Sequence, residues 1–361
     1  MKHVLKKLDY PLLLSVIGLS LFGLLMIYDA SSFISARDFH GDKYHYVISQ
    51  ALWMIIGFVG LGFFSLFNYK KLYTIAIPLL LGAIGLLLSV MIPGIGVKAL
   101  GAYRWINLGF FILQPAELVK LILAIYLSAW FSSKEKGRFP AFVLLMSFVL
   151  GLVMFERDMG TAIIVLAEAL VIYFLSGGNM MYLYLSAPVL GFIGWLFITL
   201  EPFRAARLTS FFAVNDSIDK TSYHVRQILI ALGLGGFFGV GLGNSLQKFA
   251  YLPENTTDSI FAIIAEELGF LGGMILLAVF LFVIWRGFVI AVQTKDPFGR
   301  LLAGGITSFL ALQMVINLGA QTALFPLTGV PLPFISYGGS ALVVDLCSIG
   351  ILLHIGRQNN I

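Results

Sequence analysis

The chain has 361 residues, 59% of them hydrophobic and only 11% charged, and its mean hydropathy is +0.96. Such values exclude a water-soluble fold and leave no soluble domain to be placed, so the solvent to reason with is lipid. The net charge of +5 would point a soluble protein toward nucleic acid. In a membrane protein it bears on which side of the bilayer the charges occupy, and nucleic acid is not an expected partner.

Met1 to Lys7 followed by an apolar stretch superficially resembles a secretory signal, but the stretch is long and many more follow, so an uncleaved first span is expected. Crossing roughly 30 Å of hydrocarbon takes about 20 residues. Apolar runs fall near 11–33, 47–66, 73–93, 111–131, 140–156, 160–176, 180–199, 260–285, 301–323 and 338–356. The fold class is therefore all-α and polytopic: ten transmembrane helices in a single domain over 1–361, with a large outer loop at about 200–259 between the seventh and eighth.

An even number of spans puts both termini on one side. With the termini inside, the inner segments hold twelve cations: Lys2, Lys6, Lys7, Lys70, Lys71, Lys134, Lys136, Arg138, Arg286, Lys295, Arg300 and Arg357. The short outer loops hold five, namely Arg37, Lys43, Lys98, Arg104 and Arg157. Twelve against five places both termini in the cytoplasm. The Gly-rich segment Ile228 to Leu242 would upset this parity if it crossed. It is expected to be a re-entrant or interfacial element of the large loop, where irregular backbone survives only against protein or water; the alternative is an ordinary helix packed through small residues. Cys347 has no partner cysteine and reads as a packing residue, and no internal repeat supports a transporter.

Ionisable groups inside spans are costly and so are candidates for function. Glu117 and Lys120 are three apart and share a helix face, as a structural ion pair or as the lining of an outer cavity. The cavity reading is preferred because both follow Arg104, Trp105 and Gln114. Asp158, in Glu156-Arg157-Asp158-Met159-Gly160-Thr161, can cap the next helix or serve a ligand. Glu168, near mid-membrane without a local cation, reads as a satisfied packing residue. Glu266 and Glu267 diverge by about 100°, so one at most is expected to face a shared cavity. Asp345 needs a partner that the sequence does not name.

Outside the spans, Gln247 to Asp258 combines Lys248, the carboxylates of Glu254 and Asp258, and a turn stiffened by Pro253. Asp258 is expected at a helix N-terminus on the outer surface, as an N-cap or as a general base at the mouth of a cavity. Pro331 to Ser340, which carries Ser336, is a second outer element, or simply a tight turn into the last span. No zinc-type histidine spacing, phosphate-binding loop or dinucleotide fingerprint is present, and the five histidines are scattered.

Six segments together resemble the SEDS family (shape, elongation, division and sporulation proteins, including FtsW, RodA and SpoVE). They are Gly101-Ala102-Tyr103-Arg104-Trp105-Ile106, Gln114-Pro115-Ala116-Glu117-Leu118-Val119-Lys120, Asp158 to Thr161, Gly241 to Ser245 with the run from Gln247 to Asp258, Glu266-Glu267-Leu268-Gly269, and Pro333 to Ser340. The Gly-Asn-Ser and Gln-Lys-x-x-Tyr-Leu-Pro-Glu patterns are most similar to the division and sporulation branch. The resemblance implies a peptidoglycan glycosyltransferase acting on lipid II with a class B penicillin-binding transpeptidase. It also implies an essential aspartate at Asp258, and a central cavity lined by Glu117 and Lys120. The chain departs from the family pattern at Thr256 (commonly His), Ser259 (Phe), Arg157 (Pro) and Asp345 (Asn), so a required histidine is not expected at Thr256.

The chemistry then expected is attack of a sugar hydroxyl on an anomeric carbon that carries a lipid diphosphate. Asp258 is the candidate catalytic base, and Arg104, Lys120 and Lys248 are candidate cations for the departing diphosphate. Substrate contacts are assigned to Glu117, Lys120, Arg104, Trp105, Asp158, Lys248, Glu254 and Ser336. A divalent cation, Mg2+ or Mn2+, suits diphosphate chemistry, but its ligands are unknown; no organic cofactor is expected. Membrane lipid surrounds the chain. Two other classes remain open, a lipid II flippase or transporter and a non-catalytic scaffold for a transpeptidase.

Overall fold

The computed structural model describes residues 8–99, 102–107, 109, 112–133, 137–199, 205, 209, 211, 212 and 222–359. Each apolar run becomes a helix between polar or helix-breaking ends. Helices α1 (Tyr10–Asp38), α2 (His45–Leu66) and α3 (Lys70–Val90) are followed by three short strands, β1 (Gly96–Ala99), β2 (Ala102–Asn107) and β3 (Ile112–Leu113). Then come α4 (Pro115–Ser132), α5 (Phe139–Phe155), α6 (Met159–Leu175), α7 (Met180–Thr199), α8 (Tyr223–Gly235), α9 (Ile260–Gln293), α10 (Pro297–Gln321) and α11 (Gly339–Gln358). Ten of these coincide with the ten expected spans. The eleventh, α8, has 13 residues and reaches about 20 Å at 1.5 Å per residue, too short to cross.

Asp9 begins α1 by accepting the Leu12 amide, and its other oxygen takes Arg286 of α9 at 2.7 Å. On the same face Tyr69 donates to Asp296, and His354 meets the Ser65 carbonyl. The opposite face gathers Lys248 with Asp29, Gln50 with Ser336, and Gln114 with Asp158. Successive connections thus alternate between faces. Of the twelve cations that set the expected orientation, Lys2, Lys6, Lys7, Lys134 and Lys136 lie outside the described residues.

The sequence places the fourth span from 111, whereas α4 begins at Pro115. The preceding apolar residues instead close an antiparallel sheet, with Val97 opposite Trp105 and Ile106 opposite Leu113. β-Branched and aromatic residues suit a pleated surface as well as a lipid one, which is why hydropathy alone misplaces the boundary.

Helices α4, α10 and α11 are buried over 67, 72 and 83% of their apolar windows, against 17% for α2, so these three form the centre and α2 faces lipid. α2 nevertheless approaches α11 closely through Gly57 and Gly60. A Cβ there would lie 2.5 Å from Leu346 Cδ1 and from Cys347 Sγ respectively, which accords with the packing role of that cysteine.

α9 is broken at Gly269, whose φ is 69°. The break is matched to the Gly-rich turn after α8. Val240 and Gly241 donate to the carbonyls of Glu266 and Glu267, while Phe270 and Leu271 donate to those of Gly236 and Phe237. Non-helical backbone is satisfied here by protein on both sides, the condition under which a membrane tolerates it. A Cβ at Gly269 would stand 2.2 Å from the Gly239 nitrogen, and the left-handed φ adds strain. Gly269→Ala is expected to destabilise the fold by about 2 kcal/mol or more, read as a lowered thermal midpoint in detergent.

Candidate active site

The loop segment 244–259 is folded onto α9 by two carboxylates. Glu267 accepts the Ser245 amide at 3.1 Å, and Glu266 accepts the Leu246 amide at 3.1 Å and the Ser245 hydroxyl. Both glutamates are buried. The two side chains diverge on the helix, and the loop wraps the end of α9 so that both faces meet it. Lys248 reaches Asp29 at 2.8 Å and Glu267 at 3.2 Å. Burial disfavours its ammonium, yet the hydrogen bond with Asp29 and the charge of Glu267 outweigh this and raise its pKa above the ordinary lysine value. Its charge is therefore matched by two carboxylates, from α1 and α9. Asp29 escaped the sequence reading, although an aspartate within a span was a signal for it.

Asp258 follows from this anchored loop and remains partly exposed. It is not the N-cap: Ser259 occupies that position, with its own side chain not capping the helix but meeting His224 Nε2 of α8 at 2.7 Å. Scattered spacing hid His224, which only the tertiary fold brings here. The Thr257 hydroxyl lies 2.9 Å from Glu254 Oε2 and 3.3 Å from Asp258 Oδ1, so Glu254 and Asp258 form a pair around one hydroxyl.

The backbone beneath Asp258 is held at three successive carbonyls. Tyr337 N–H donates to Thr256, the Ser336 hydroxyl donates to Thr257 at 2.5 Å, and the side-chain amides of Asn317 and Gln321 both donate to Asp258 at 2.8 Å. Ser336 also accepts the Leu332 amide at 2.8 Å and is buried. Its hydroxyl is a brace between two loops.

A second cluster adjoins the first. Asp158 caps α6 through Thr161 N–H at 3.0 Å and takes the Gln114 amide at 3.0 Å, so the capping reading describes its contacts. Arg104 on β2 donates to the carbonyls of Glu156 and Arg157, stapling the sheet to the same turn, while Trp105 beside it is half-buried. Glu156 is 2% exposed, and among the described residues neither of its carboxylate oxygens has a hydrogen-bond partner. Gly160 packs on Thr328 and Val330, and the intervening Gly329 faces Asp258 Oδ2, so the two clusters meet across that loop.

Deeper in the bundle, Lys120 Nζ lies 2.7 Å from Glu117 Oε2, an ionic contact between side chains 1 and 3% exposed. The Phe309 ring of α10 sits under the ammonium at 6.0 Å. Asp345 of α11 is buried, and the backbone of Phe334 is the hydrogen-bond partner that the sequence could not name. Glu168 of α6 was expected to be a satisfied packing residue; it is buried, but its two oxygens lack hydrogen bonds among the described residues. Among the described residues, no three His, Cys, Asp or Glu side chains gather as a metal centre.

The profile of the cell cycle protein family that groups FtsW, RodA and SpoVE matches residues 10–361. The chain belongs to this family. It is 38% identical over 358 residues to the "Probable peptidoglycan glycosyltransferase FtsW" of Geobacter sp. (strain M18), covering 97% of each chain. It is 37% identical over 364 residues to the Stage V sporulation protein E of Bacillus subtilis (strain 168), covering 98% of this chain and 99% of that one. Near-equal identity to the two leaves the division and sporulation members unseparated. The Thermus thermophilus rod shape determining protein RodA superposes with a TM-score of 0.72 at 26% identity, covering 98 and 97% of the two chains. A chain from a peptidoglycan synthase complex described as coordinating polymerization and crosslinking shares the fold, with a TM-score of 0.79 at 24% identity and 98% of each chain covered.

Proposed function

We propose that this FtsW/RodA/SpoVE family member is a peptidoglycan glycosyltransferase that polymerises lipid II at the outer face of the bacterial cytoplasmic membrane, with Asp258 as general base. The observation that carries the reading is the presentation of Asp258: a partly exposed carboxylate on a backbone held at three successive carbonyls, beside the Glu156–Asp158 turn. A base that must meet one hydroxyl needs such fixation.

In the proposed reaction a sugar hydroxyl oxygen bonds to the anomeric carbon, and its proton passes to Asp258. The bond from that carbon to the lipid diphosphate breaks, and the diphosphate leaves with the electron pair. Arg104 is the outer cation retained for this charge, because two of its five N–H groups hold carbonyls and the rest are available to a ligand. Glu254, Trp105 and Asp158 border the same surface and are retained as substrate contacts. Lys120, with Glu117, acts from the interior of the bundle by setting the charge beneath the site. The donor set also fits a divalent cation, Mg2+ or Mn2+, since Glu254 and Asp258 offer two hard carboxylates to an ion completed by substrate oxygens. Such an ion would stabilise negative charge on the departing diphosphate.

The excess of Lys and Arg on the Arg286 face supports placing both termini in the cytoplasm and the Asp258 face outside. The similarity to a chain of a peptidoglycan synthase complex supports a class B penicillin-binding transpeptidase as partner. The test supplies the purified chain and its partner with lipid II and separates the products on a gel. Glycan polymer is the expected result; lipid II transfer across liposomes without polymer would replace this reading with a transporter.

A further inference from the structure

The amides that hold Asp258 make an unusual helix start. In an uninterrupted helix the Ala262 N–H would bond the Asp258 carbonyl four residues back. Here the side chain of Gln321 stands between them: its Oε1 accepts Ala262 N–H at 2.8 Å and its Nε2 donates to the Asp258 carbonyl at 2.8 Å. The same Nε2 donates to Asn317 Oδ1 at 2.8 Å, and Asn317 Nδ2 donates to the carbonyls of Asp258 and Val330, both at 2.8 Å. Every polar atom of the two buried amides is thus engaged. Buried amides are costly unless fully satisfied, and apolar residues at these two positions would pack α10 without that requirement.

We infer that Gln321 and Asn317 of α10, assisted by Ser336, are positioning residues that hold Asp258 out of the first turn of α9 and aim its carboxylate at the substrate hydroxyl. This inference rests on the proposed role of Asp258 as base. Gln321 takes the place of the Ala262-to-Asp258 bond, and the Ala262 N–H also reaches the Ser259 carbonyl at 3.0 Å, so the first turn of α9 closes on Ser259 and leaves Asp258 outside it. Asn317, one turn earlier on the same face, locks the Gln321 amide in orientation and ties it to Val330, next to the Gly329 that faces Asp258 Oδ2. Ser336 fixes the neighbouring Thr257 carbonyl from the other side.

The test compares Gln321→Met, close in shape but without the amide, with Gln321→Glu, which keeps the acceptor for Ala262. In the lipid II assay, Gln321→Met is expected to lower kcat by about 10- to 100-fold, with KM within about threefold of wild type. Gln321→Glu should fall between the two. Hydrogen exchange of the 256–264 peptide should rise in Gln321→Met while the other spans keep their protection. Ser336→Ala, which releases only the Thr257 carbonyl, should change kcat in the same sense by less, and serves if Gln321→Met does not fold. Unchanged kcat in Gln321→Met and Ser336→Ala, with Asp258→Asn inactive, would overturn the inference. So would exchange that rises equally in all spans with a lowered thermal midpoint, the mark of a general packing role. Full activity of Asp258→Asn would instead overturn the base assignment beneath it.

Discussion

Asp258→Asn is expected to lower the turnover of glycan polymerisation by about 10²- to 10⁴-fold while leaving the thermal midpoint near that of wild type. The amide has the shape of the carboxylate and can still accept from Thr257, but it cannot take the proton of an attacking hydroxyl. The bonds that hold the carbonyls of Thr256, Thr257 and Asp258 do not involve the Asp258 carboxylate, so these bonds are kept in this variant. The loss should therefore fall on kcat rather than on folding. Asp258→Glu keeps the chemistry but displaces the carboxylate by one methylene. It should retain more activity than Asp258→Asn yet remain well below wild type, because a base misplaced by about 1 Å forfeits much of its advantage. Polymer formation by Asp258→Asn within threefold of wild type would remove Asp258 from the chemistry and leave its carboxylate a merely local role.

The membrane architecture was legible because its cause is local: ten runs of apolar residues each long enough to cross lipid, alternating with polar connections. The sheet at 96–113 was not, since Val97, Trp105 and Ile112 suit a strand as well as a span and only pairing across the turn decides. The same division runs through the candidate site. Asp258, Asp158 and the Glu117–Lys120 pair were legible as costly charges in or beside lipid. What each one touches was not. Lys248 was legible as a cation, but its partner Asp29 comes from α1, more than two hundred residues away in sequence. Ser336 was legible as part of a second loop element, but the Thr257 carbonyl that its hydroxyl reaches was not. Gln321 and Asn317 drew no notice because neutral amides in a span carry no charge penalty to flag them, and their importance lies wholly in the backbone they reach.

The buried Glu117–Lys120 pair carries the second large expectation. Glu117→Gln removes the carboxylate that lies 2.7 Å from the Lys120 ammonium, and Lys120→Met removes the ammonium from that carboxylate, so each single variant leaves one charge buried without the other. Breaking a buried pair by deleting one partner typically costs about 3–5 kcal/mol, and both single variants are expected to reach that range. The double variant Glu117→Gln with Lys120→Met should be less destabilised than the sum of the singles, since the two losses share one interaction. Thermal midpoints of the four proteins in one detergent measure the cycle; strictly additive costs would show that the pair contributes no interaction of its own. Activity separates stability from function. If the pair sets the charge that the substrate meets, the double variant should make little polymer even where it folds. Growth and polymerisation at wild-type rate by the folded double variant would show that the pair only holds helices and takes no part in the reaction.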